Sequence, residues 1–421
     1  MGEGRGRYHD LRRKTTSCTD GSLSVFHFFH RIWVLLSLLL SCCRRSFTRT
    51  SCEDDLLACS KHICSTPDID KLVSVLLPFG RRLGMTAEPP AKPSKWRPYD
   101  DPGCVLEEQR KASPKLQVLS VGPGRARKSS PSYSPLKNIA ESVLGIVTQC
   151  VTGQNVPKRC NPSTIVNILQ KLNAKLGGTN NTTPAVKTII FNTAVMTIGA
   201  DVTHPAPTEM NRPSAAAAVA SVDCLACRYI STFRIQKQNT VAIAHIELIE
   251  DMKNITRELL VRFYRINNGV KPANIFYRDG VSEGQFSQGQ QHEVVTLQEA
   301  NRKLHPDYEP VVTFLDVRMR QHHTRFMPRD HRDSCGKSDD TPPTAVVDTF
   351  VTQMVDFDLF LYSRFGIQGT TWPAQFYVIW DDNDFYADTL QRLTFYLCHT
   401  YVLCARSVPI PTPVYYAHNV F

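Results

Sequence analysis

Apolar and polar positions alternate along the second half of the chain in two recurring patterns. Short, mostly apolar stretches at 195–200, 214–222 and 229–235 are typical of buried strands. Residues 246–264 carry apolar side chains at the spacing of an amphipathic helix. Strands that alternate with helices indicate an α/β domain with a mixed sheet. The same order of elements is expected to continue with strands at 274–278 and 311–317, a helix over about 283–304 between them, and a polar loop at 328–343.

A second, smaller set of elements is predicted upstream. The pattern favours a helix over 70–84, a proline-rich connection at 89–102 and a strand over 116–121. A further helix is expected to begin with a cap near Ser163 and to stop before Gly177, since glycine is common just after a helix end. These elements predict a smaller α/β unit in front of the larger one.

Composition narrows the class of protein. The chain has 421 residues, 42% of them hydrophobic and 20 of them Phe, which is enough to build a core and excludes wholesale disorder. Its longest apolar run, near 32–40, is far shorter than the about 20 residues of a membrane-spanning helix, so no membrane partner is expected. Most of the 14 Cys lie scattered among apolar residues, as free thiols of intracellular proteins do. We therefore expect a cytoplasmic protein, with the nucleus as the alternative.

Positive charge is concentrated in one part of the chain. Residues 81–175 contain 16 Lys and Arg against 6 Asp and Glu, an excess of +10 that equals the net charge of the whole chain. A basic domain beside a neutral one is expected where one part binds phosphate groups. A solvated lysine-rich surface would give the same charge count.

Two aspartates lie where α/β folds concentrate chemistry. Asp201 directly follows the apolar stretch 195–200, and Asp279 ends the predicted strand at 274–278. Carboxylates at the carboxyl ends of neighbouring strands could hold divalent metal ions about 4 Å apart, an arrangement that promotes phosphodiester hydrolysis. Mg²⁺ suits such a site. Alternatively, both aspartates are caps or turn formers.

Long sequence strings identify a family. Residues 70–421 resemble the MID and PIWI domains of eukaryotic Argonaute proteins, and the match is nearly collinear from about residue 115. The matching strings are VLGIVTQC at 143–150, KLGG at 175–178, GADVTHP at 199–205, YRDGVSEGQF at 277–286, HHTR at 322–325, WDDN at 380–383 and YYAH at 415–418.

The resemblance implies a domain organisation. It predicts a Rossmann-like MID domain over 70–185 and an RNase H-like PIWI domain over 186–421, whose end falls short of the family's usual C-terminus. The family's N-terminal and PAZ domains are not recognisable. Residues 1–69 remain unassigned and are expected to be either disordered or an artefact of gene prediction.

The resemblance also implies a catalytic set. Argonaute PIWI domains cleave the RNA strand opposite a bound guide with Asp, Glu, Asp and His, which match Asp201, Glu247, Asp279 and His418 here. Asp201, Asp279 and His418 would bind Mg²⁺, with Mn²⁺ as the alternative. Glu247 is assigned from the string that follows it, and the preceding loop holds an insertion relative to the family. Glu250 is a substitute for this role, and both glutamates could instead lie on a helix surface.

A phosphate pocket is predicted in the MID domain. Lys171 and Lys175 are four residues apart on one helix, so their ammonium groups repel each other unless an anion lies between them. The resemblance adds Tyr133, Lys137 and Gln149 to these lysines as the site for the guide's 5′-phosphate. Tyr133 would stack on the first guide base, and the other four would donate hydrogen bonds to the phosphate.

Two classes of function follow from the resemblance. The first is a Mg²⁺-dependent endoribonuclease that cleaves target RNA complementary to a small guide RNA. The second is a guide-binding module that does not cleave and silences by recruiting partners such as glycine-tryptophan-repeat proteins. An incomplete gene model of a longer Argonaute is a third explanation of the chain as written.

Overall fold

The computed structural model describes most of the chain after residue 50. No helix among the described residues is both long and apolar enough to cross a lipid bilayer. The chain forms two compact units, one of residues 40–182 and 402–405 and the other of residues 183–401 and 406–421. The predicted domain boundary at 185 lies outside the described residues, which are 51–52, 55–60, 66–87, 91–96, 101–112, 117–122, 133–152, 161–180, 194–205, 213–223, 225–236, 248–280, 286–304, 307–319, 324–336, 338–353, 357–366, 369–404 and 406–420.

The smaller unit is built on a parallel sheet of four strands. Their order is β4-β2-β5-β6, and all neighbouring pairs are parallel. A parallel sheet with connecting helices confirms the predicted Rossmann-like architecture. The elements are β1 (Ser51–Cys52), β2 (Asp55–Ser60), α1 (Thr66–Arg82), β3 (Thr86–Ala87), β4 (Ala91–Trp96), α2 (Pro102–Ala112), β5 (Gln117–Gly122), α3 (Tyr133–Lys137), a π-helical turn (Asn138–Val143), β6 (Thr148–Thr152) and α4 (Pro162–Lys175).

Of the four strands in this sheet, only β5 was predicted from the sequence. β2 lies before residue 70, the predicted start of the domain. The expectation that residues 1–69 are disordered or an artefact is therefore wrong for residues 55–60, which form this strand. β4 lies inside the predicted proline-rich connection. Proline is tolerated there because β4 is an edge strand, and the register with β2 shifts between Leu56 and Ala58, next to Pro93.

Helices α1 and α4 carry the apolar core of this unit. Ile69 and Leu72 of α1 pack with Ile165 of α4, and all three side chains are buried. α4 is capped two residues before the predicted position, because the side chain of Asn161 accepts a hydrogen bond from the Thr164 amide at 2.8 Å. Ser163 therefore lies within the first turn, and the prediction of a cap near Ser163 was wrong by two residues.

The larger unit is built on a mixed sheet of eight strands in the order β12-β13-β14-β11-β10-β7-β8-β9. The central strands β7, β10 and β11 are parallel, and the strands on both sides are antiparallel to their neighbours. The elements are β7 (Val195–Thr203), β8 (Ser214–Ser221), β9 (Tyr229–Gln236), α5 (Met252–Ile266), β10 (Ala273–Asp279), α6 (Phe286–Leu304), β11 (Val312–Arg318), a 3₁₀ turn (His331–Asp333), β12 (Val346–Val347), β13 (Phe357–Leu361), β14 (Ala374–Asp381), α7 (Ala387–Leu397) and α8 (Thr412–Asn419).

Helices cover both faces of this sheet. Alternate residues of β7 and β10 point to opposite faces, so that Val195 and Tyr277 pack against α7 and α8, while Met196, Ile198 and Phe276 pack against α5 and α6. Both clusters are buried and apolar, which is why the central strands read as nearly continuous apolar stretches. The strands predicted at 195–200, 214–222, 229–235, 274–278 and 311–317 are confirmed.

The helix predicted over 246–264 begins later than expected. α5 starts at Met252, and the buried side chain of Gln236 binds the backbone of the residues before it. The Gln236 amide donates to Leu248 O at 3.2 Å and accepts from the Glu250 amide at 3.1 Å. The Leu248 oxygen and the Glu250 amide are thus hydrogen-bonded to Gln236 and not to other backbone groups of a helix. This competition explains why α5 does not begin before Met252.

Helix α8 approaches β7 more closely than a side chain would allow. A Cβ atom on Gly199 would lie 2.2 Å from the backbone of Pro413 and Val414. Only glycine leaves the space for this contact. The helix therefore rests on the strand backbone itself, and its position along the strand is fixed.

Replacing Gly199 with alanine tests this contact. The new methyl group must displace α8 or bend β7, and we expect Gly199→Ala to lower the free energy of unfolding by about 2 kcal/mol or more. Urea denaturation followed by tryptophan fluorescence measures the change. Gly80→Ala, within helix α1, is the matched control, because its Cβ would meet only Leu169 and Met85, at ordinary contact distances, so a small gain in stability is expected. Equal stability of the Gly199→Ala protein and the wild type would contradict the close contact.

Candidate metal centre and anion pocket

Two carboxylates meet at the carboxyl end of the central strands. β7 and β10 are parallel neighbours with Gly199 opposite Tyr277 and Ala200 opposite Arg278, so Asp201 and Asp279 follow at the same level of the sheet. Side chains alternate along a strand, and both aspartates therefore share the face that carries Gly199, Tyr277 and helix α8. The sheet register thus brings together the two aspartates that the sequence predicted.

Helix α8 adds an imidazole to this pair. Val414 lies over Gly199, and His418 lies one turn further along the same side of the helix. Four helical residues rise by about 6 Å, and two strand residues by about 6.7 Å, so a helix lying along β7 carries His418 to Asp201. The Nδ1 atom of His418 lies 3.0 Å from Oδ2 of Asp201, within hydrogen-bond distance.

The three side chains form a group that could hold a metal ion. One ligand atom from each of Asp201, Asp279 and His418 lies within 4.8 Å of those of the other two. Asp201 is buried, Asp279 is half-buried and His418 is exposed, so the group opens toward solvent on the histidine side. Two neighbouring carboxylates repel each other, and a divalent cation relieves that repulsion. Carboxylate oxygens with one imidazole nitrogen suit Mg²⁺ or Mn²⁺.

A buried ion pair supports the strand end from the opposite face. Arg278 precedes Asp279, is fully buried, and donates a hydrogen bond from Nη1 to the backbone oxygen of Asp279. Its Nε atom lies 3.5 Å from Oε1 of Glu293, which is also buried and accepts the Ile249 amide at 3.1 Å. Sequence reasoning missed this pair. The only signal was a single arginine inside an otherwise apolar strand.

The fourth predicted catalytic residue cannot be compared with this group. Glu247 lies outside the described residues. Glu250, the substitute considered from the sequence, is described and exposed. Within the described part of the chain it does not join the Asp201, Asp279 and His418 group.

Two predicted lysines converge in the smaller unit. The Nζ atom of Lys137, from α3, donates to Thr148 O at 2.9 Å and to Thr148 Oγ1 at 2.7 Å. The Nζ atom of Lys175, at the end of α4, donates to the same backbone oxygen at 2.6 Å. Thr148 begins β6 and is fully buried. The two ammonium groups therefore share one acceptor at the start of β6.

A carboxylate that the sequence reasoning missed lies beside these lysines. Glu141 forms an ion pair with Lys137 and accepts a hydrogen bond from Thr148 Oγ1 at 2.9 Å. Burial opposes its charge, but the hydrogen bonds from Lys137 and Thr148 outweigh burial and lower the pKa of this carboxyl. The four-residue spacing of Lys137 and Glu141 on a helical segment was the available signal.

The electrostatic environment of Lys175 is unusual for a lysine. Much of the residue is exposed, yet its ammonium group lies against Thr148. Burial of this group, followed by the neighbouring ammonium of Lys137, lowers the pKa of Lys175 to about 8. An anion placed between the two lysines would raise that pKa again.

The other three predicted pocket residues make different contacts. Gln149 is buried, and its side-chain amide donates to Cys150 O at 2.9 Å. Tyr133 begins α3 and Lys171 lies one turn before Lys175 on α4. Among the described residues, neither Tyr133 nor Lys171 forms a hydrogen bond or ion pair with the two converging lysines.

The fold and the metal group define the class of protein. A mixed sheet whose central parallel strands end in aspartates is the architecture of RNase H-like domains. The Piwi domain model matches residues 125–421, about 70% of the chain, and the chain belongs to the Piwi family. This confirms the family resemblance inferred from the sequence strings.

Solved structures share the fold of both units. An Argonaute of Kluyveromyces polysporus with a guide RNA matches with a TM-score of 0.76 and 24% identity, over 88% of this chain and 46% of that one. The C-terminal lobe of a budding yeast Argonaute matches with a TM-score of 0.75 and 24% identity, over 89% and 78%. Drosophila Piwi matches with a TM-score of 0.70 and 22% identity, over 88% and 48%. The chain thus spans about half the length of the Kluyveromyces and Drosophila proteins.

Metal binding at the Asp201, Asp279 and His418 group can be measured without catalysis. We expect Mn²⁺ to raise the melting temperature of the wild-type protein by a few degrees, since a bound ion stabilises the folded state. Asp279→Asn keeps the size of the side chain but removes one charged ligand, so most of this rise should disappear. Asp388→Asn, in the first turn of α7, is the control and should respond like the wild type. An equal rise in all three proteins would place the metal elsewhere.

The lowered pKa of Lys175 predicts a pH dependence of phosphate binding. Below pH 8 the free protein carries a protonated Lys175, and above it the proton must be taken up on binding. Affinity for a 5′-phosphorylated RNA should therefore fall above pH 8, by up to about tenfold per pH unit. It should also fall below about pH 6, where the phosphate loses its second charge.

Lys175→Arg separates this effect from other titrations. Arginine stays protonated, so the alkaline fall in affinity should disappear in the variant. The charged or titratable groups that act on Lys175 are Lys137, Glu141 and Cys150, and these are unchanged in it. Fluorescence anisotropy between pH 6 and 9.5 measures both proteins. The same alkaline fall in the variant would assign the titration to another group.

Proposed function

We propose that this protein binds a small guide RNA by its 5′-phosphate and cleaves RNA complementary to that guide. The observation that carries the proposal is the group formed by Asp201, Asp279 and His418 at the strand ends of a Piwi-family domain. The similar fold of an Argonaute solved with a guide RNA supports RNA as the ligand. A silencing role, in the cytoplasm or the nucleus, follows from these two activities.

The guide's 5′ end is assigned to the pocket of Lys137 and Lys175. Their ammonium groups both contact Thr148 O, at 2.9 and 2.6 Å, and therefore lie close enough together for one phosphate group to contact both. Lysine binds phosphate as a strong point charge, and two lysines give the pocket an affinity for a dianion. Tyr133, Gln149 and Lys171 complete the proposed site, with Tyr133 stacked on the first base.

The cleavage chemistry is assigned to the larger unit. Asp201 and Asp279 supply carboxylate ligands and His418 an imidazole, which together would hold Mg²⁺ or Mn²⁺. The bound ion would stabilise negative charge on the phosphate oxygens. Glu247 is proposed as the fourth member of the set. Hydrolysis adds water across the P–O3′ bond and leaves a 3′-hydroxyl and a 5′-phosphate. The rigid packing of α8 on Gly199 keeps His418 oriented toward Asp201 during this reaction.

A cleavage assay tests the proposal. The purified chain is loaded with a 5′-phosphorylated guide and incubated with a matched RNA labelled at one end, with Mg²⁺ or with chelator. We expect a single cut at a fixed distance from the guide's 5′ end, only with Mg²⁺. Asp279→Asn should slow the cut by roughly 1,000-fold, because a metal ligand contributes several kcal/mol to transition-state stabilisation. Asp388→Asn should cut at the wild-type rate.

The same assay distinguishes the second class of function. Guide RNA retained without any Mg²⁺-dependent cut would remove the nuclease and leave a guide-binding silencing module. Such a module would act through recruited partners, of which glycine-tryptophan-repeat proteins are the proposed class. Cleavage that persists in Asp279→Asn would instead point to a contaminating ribonuclease.

A further inference from the structure

The anion pocket contains an anion of its own. We propose that Glu141 is the resident counter-ion of Lys137, that a guide 5′-phosphate must displace it, and that it therefore limits the affinity of the pocket for phosphorylated RNA. This inference deepens the proposed function and rests on the assignment of the 5′-phosphate to Lys137 and Lys175. It concerns the step in which the pocket exchanges one anion for another.

The hydrogen bonds of Lys137 leave no donor for a new ligand. A lysine ammonium group has three N–H donors and no acceptor. The Nζ atom of Lys137 contacts three acceptors, namely Oε1 of Glu141 and both Oγ1 and the backbone oxygen of Thr148. A phosphate oxygen can bind Lys137 through a hydrogen bond only after one of these three contacts is given up.

Glu141 is the acceptor that can leave. Thr148 is fully buried, and its backbone oxygen belongs to strand β6 and also accepts from Lys175, so moving it would disturb the sheet. The side chain of Glu141 is 43% exposed on the π-helical turn, so it can swing into water without opening the core. Once displaced, its carboxylate is hydrated by water, but its ion pair with Lys137 is lost.

Removing the charge of Glu141 should strengthen phosphate binding. Glu141 and a bound phosphate are both negative and both close to Lys137, so they repel each other in the complex. Two contacts to Thr148 remain to hold Lys137 in place after Glu141 has left, so the lysine stays oriented. The lowered pKa of Glu141 agrees with this picture, because it shows that the carboxylate is stabilised in its charged form by the pocket it occupies.

The test compares two RNAs of identical sequence on three proteins. A fluorescently labelled oligoribonucleotide with a 5′-phosphate or a 5′-hydroxyl is titrated with the full chain, and binding is followed by anisotropy at low and high salt. The proteins are wild type, Glu141→Gln and the control Glu108→Gln. Glu108 is an exposed residue of α2 and carries the same charge. Glutamine keeps the shape of glutamate and one acceptor oxygen.

We expect Glu141→Gln to bind the 5′-phosphorylated RNA roughly fivefold to tenfold more tightly than wild type at low salt, with a smaller gain at high salt. Binding of the 5′-hydroxyl RNA should change only as much as it does in Glu108→Gln. The preference of the protein for a 5′-phosphate over a 5′-hydroxyl therefore increases in Glu141→Gln alone.

Two different failures are distinguishable. If wild type and Glu141→Gln bind both RNAs equally, the assignment of the 5′-phosphate to this pocket is wrong, and with it the proposed function of the smaller unit. If both proteins prefer the phosphate but Glu141→Gln binds it no more tightly, or less tightly, Glu141 orders the pocket rather than competing with its ligand. Glu141→Ala guards against a fold effect of glutamine. Its melting temperature is compared with that of wild type before the titration. We expect Glu141→Ala to show the same gain in affinity for the 5′-phosphorylated RNA as Glu141→Gln.

Discussion

The contact between helix α8 and Gly199 is the constraint on which the metal centre depends. The helix rests on strand backbone rather than on side chains, so its distance from the sheet is set by main-chain packing. Because one helical turn matches two strand residues in length, that single contact also determines which residue of α8 lies beside Asp201. A shift of α8 by one residue would rotate His418 away from both aspartates. The geometry of the Asp201, Asp279 and His418 group is thus a consequence of helix-on-sheet packing.

The two sites have opposite charge but the same design. In each site, a side chain that would bind the ligand already contacts another side chain of the protein, through an ion pair or a hydrogen bond. Asp201 is paired with His418, and Lys137 with Glu141. Such partners keep charged side chains oriented in the absence of ligand, since a buried charge without a partner would destabilise the fold. When the ligand binds, each of these contacts is either broken or kept alongside the new ones. The affinity for the ligand therefore depends on how stable the contact within the protein is.

Sequence reasoning recovered the parts of this structure that follow from local pattern. The strands that carry Asp201 and Asp279 were predictable, because an apolar stretch of strand length followed by a carboxylate can be recognised from the sequence alone. The relative register of β7 and β10 was not, although the alignment of the two aspartates depends on it. Helix spacing pointed to Lys175, and the family strings supplied His418 and Lys137. The packing at Gly199 and the buried pair of Arg278 and Glu293 arise from contacts distant in sequence.

The errors also have physical causes. A proline-rich stretch was read as a connection, but it forms the edge strand β4, where a missing amide hydrogen is tolerated. The strands and helices after residue 318 were not predicted individually, although the buried strands β13 and β14 complete one side of the larger sheet. Glu141 was overlooked because an acidic residue beside lysines is ordinarily an unremarkable surface pair.

The side chain of Gln236 has a consequence for how this fold can vary between relatives. By pairing with Leu248 O and the Glu250 amide, it ties the end of β9 to the chain that leads into α5. The distance between Gln236 and Leu248 is therefore fixed by side-chain hydrogen bonds. The entropy of closing a loop grows only with the logarithm of its length, by about 0.6 kcal/mol for each doubling. A change in the number of residues between 237 and 247 therefore costs little stability, because its two ends are already held together by Gln236. The cost falls instead on the position of Glu247, the proposed fourth member of the catalytic set, which lies between those ends.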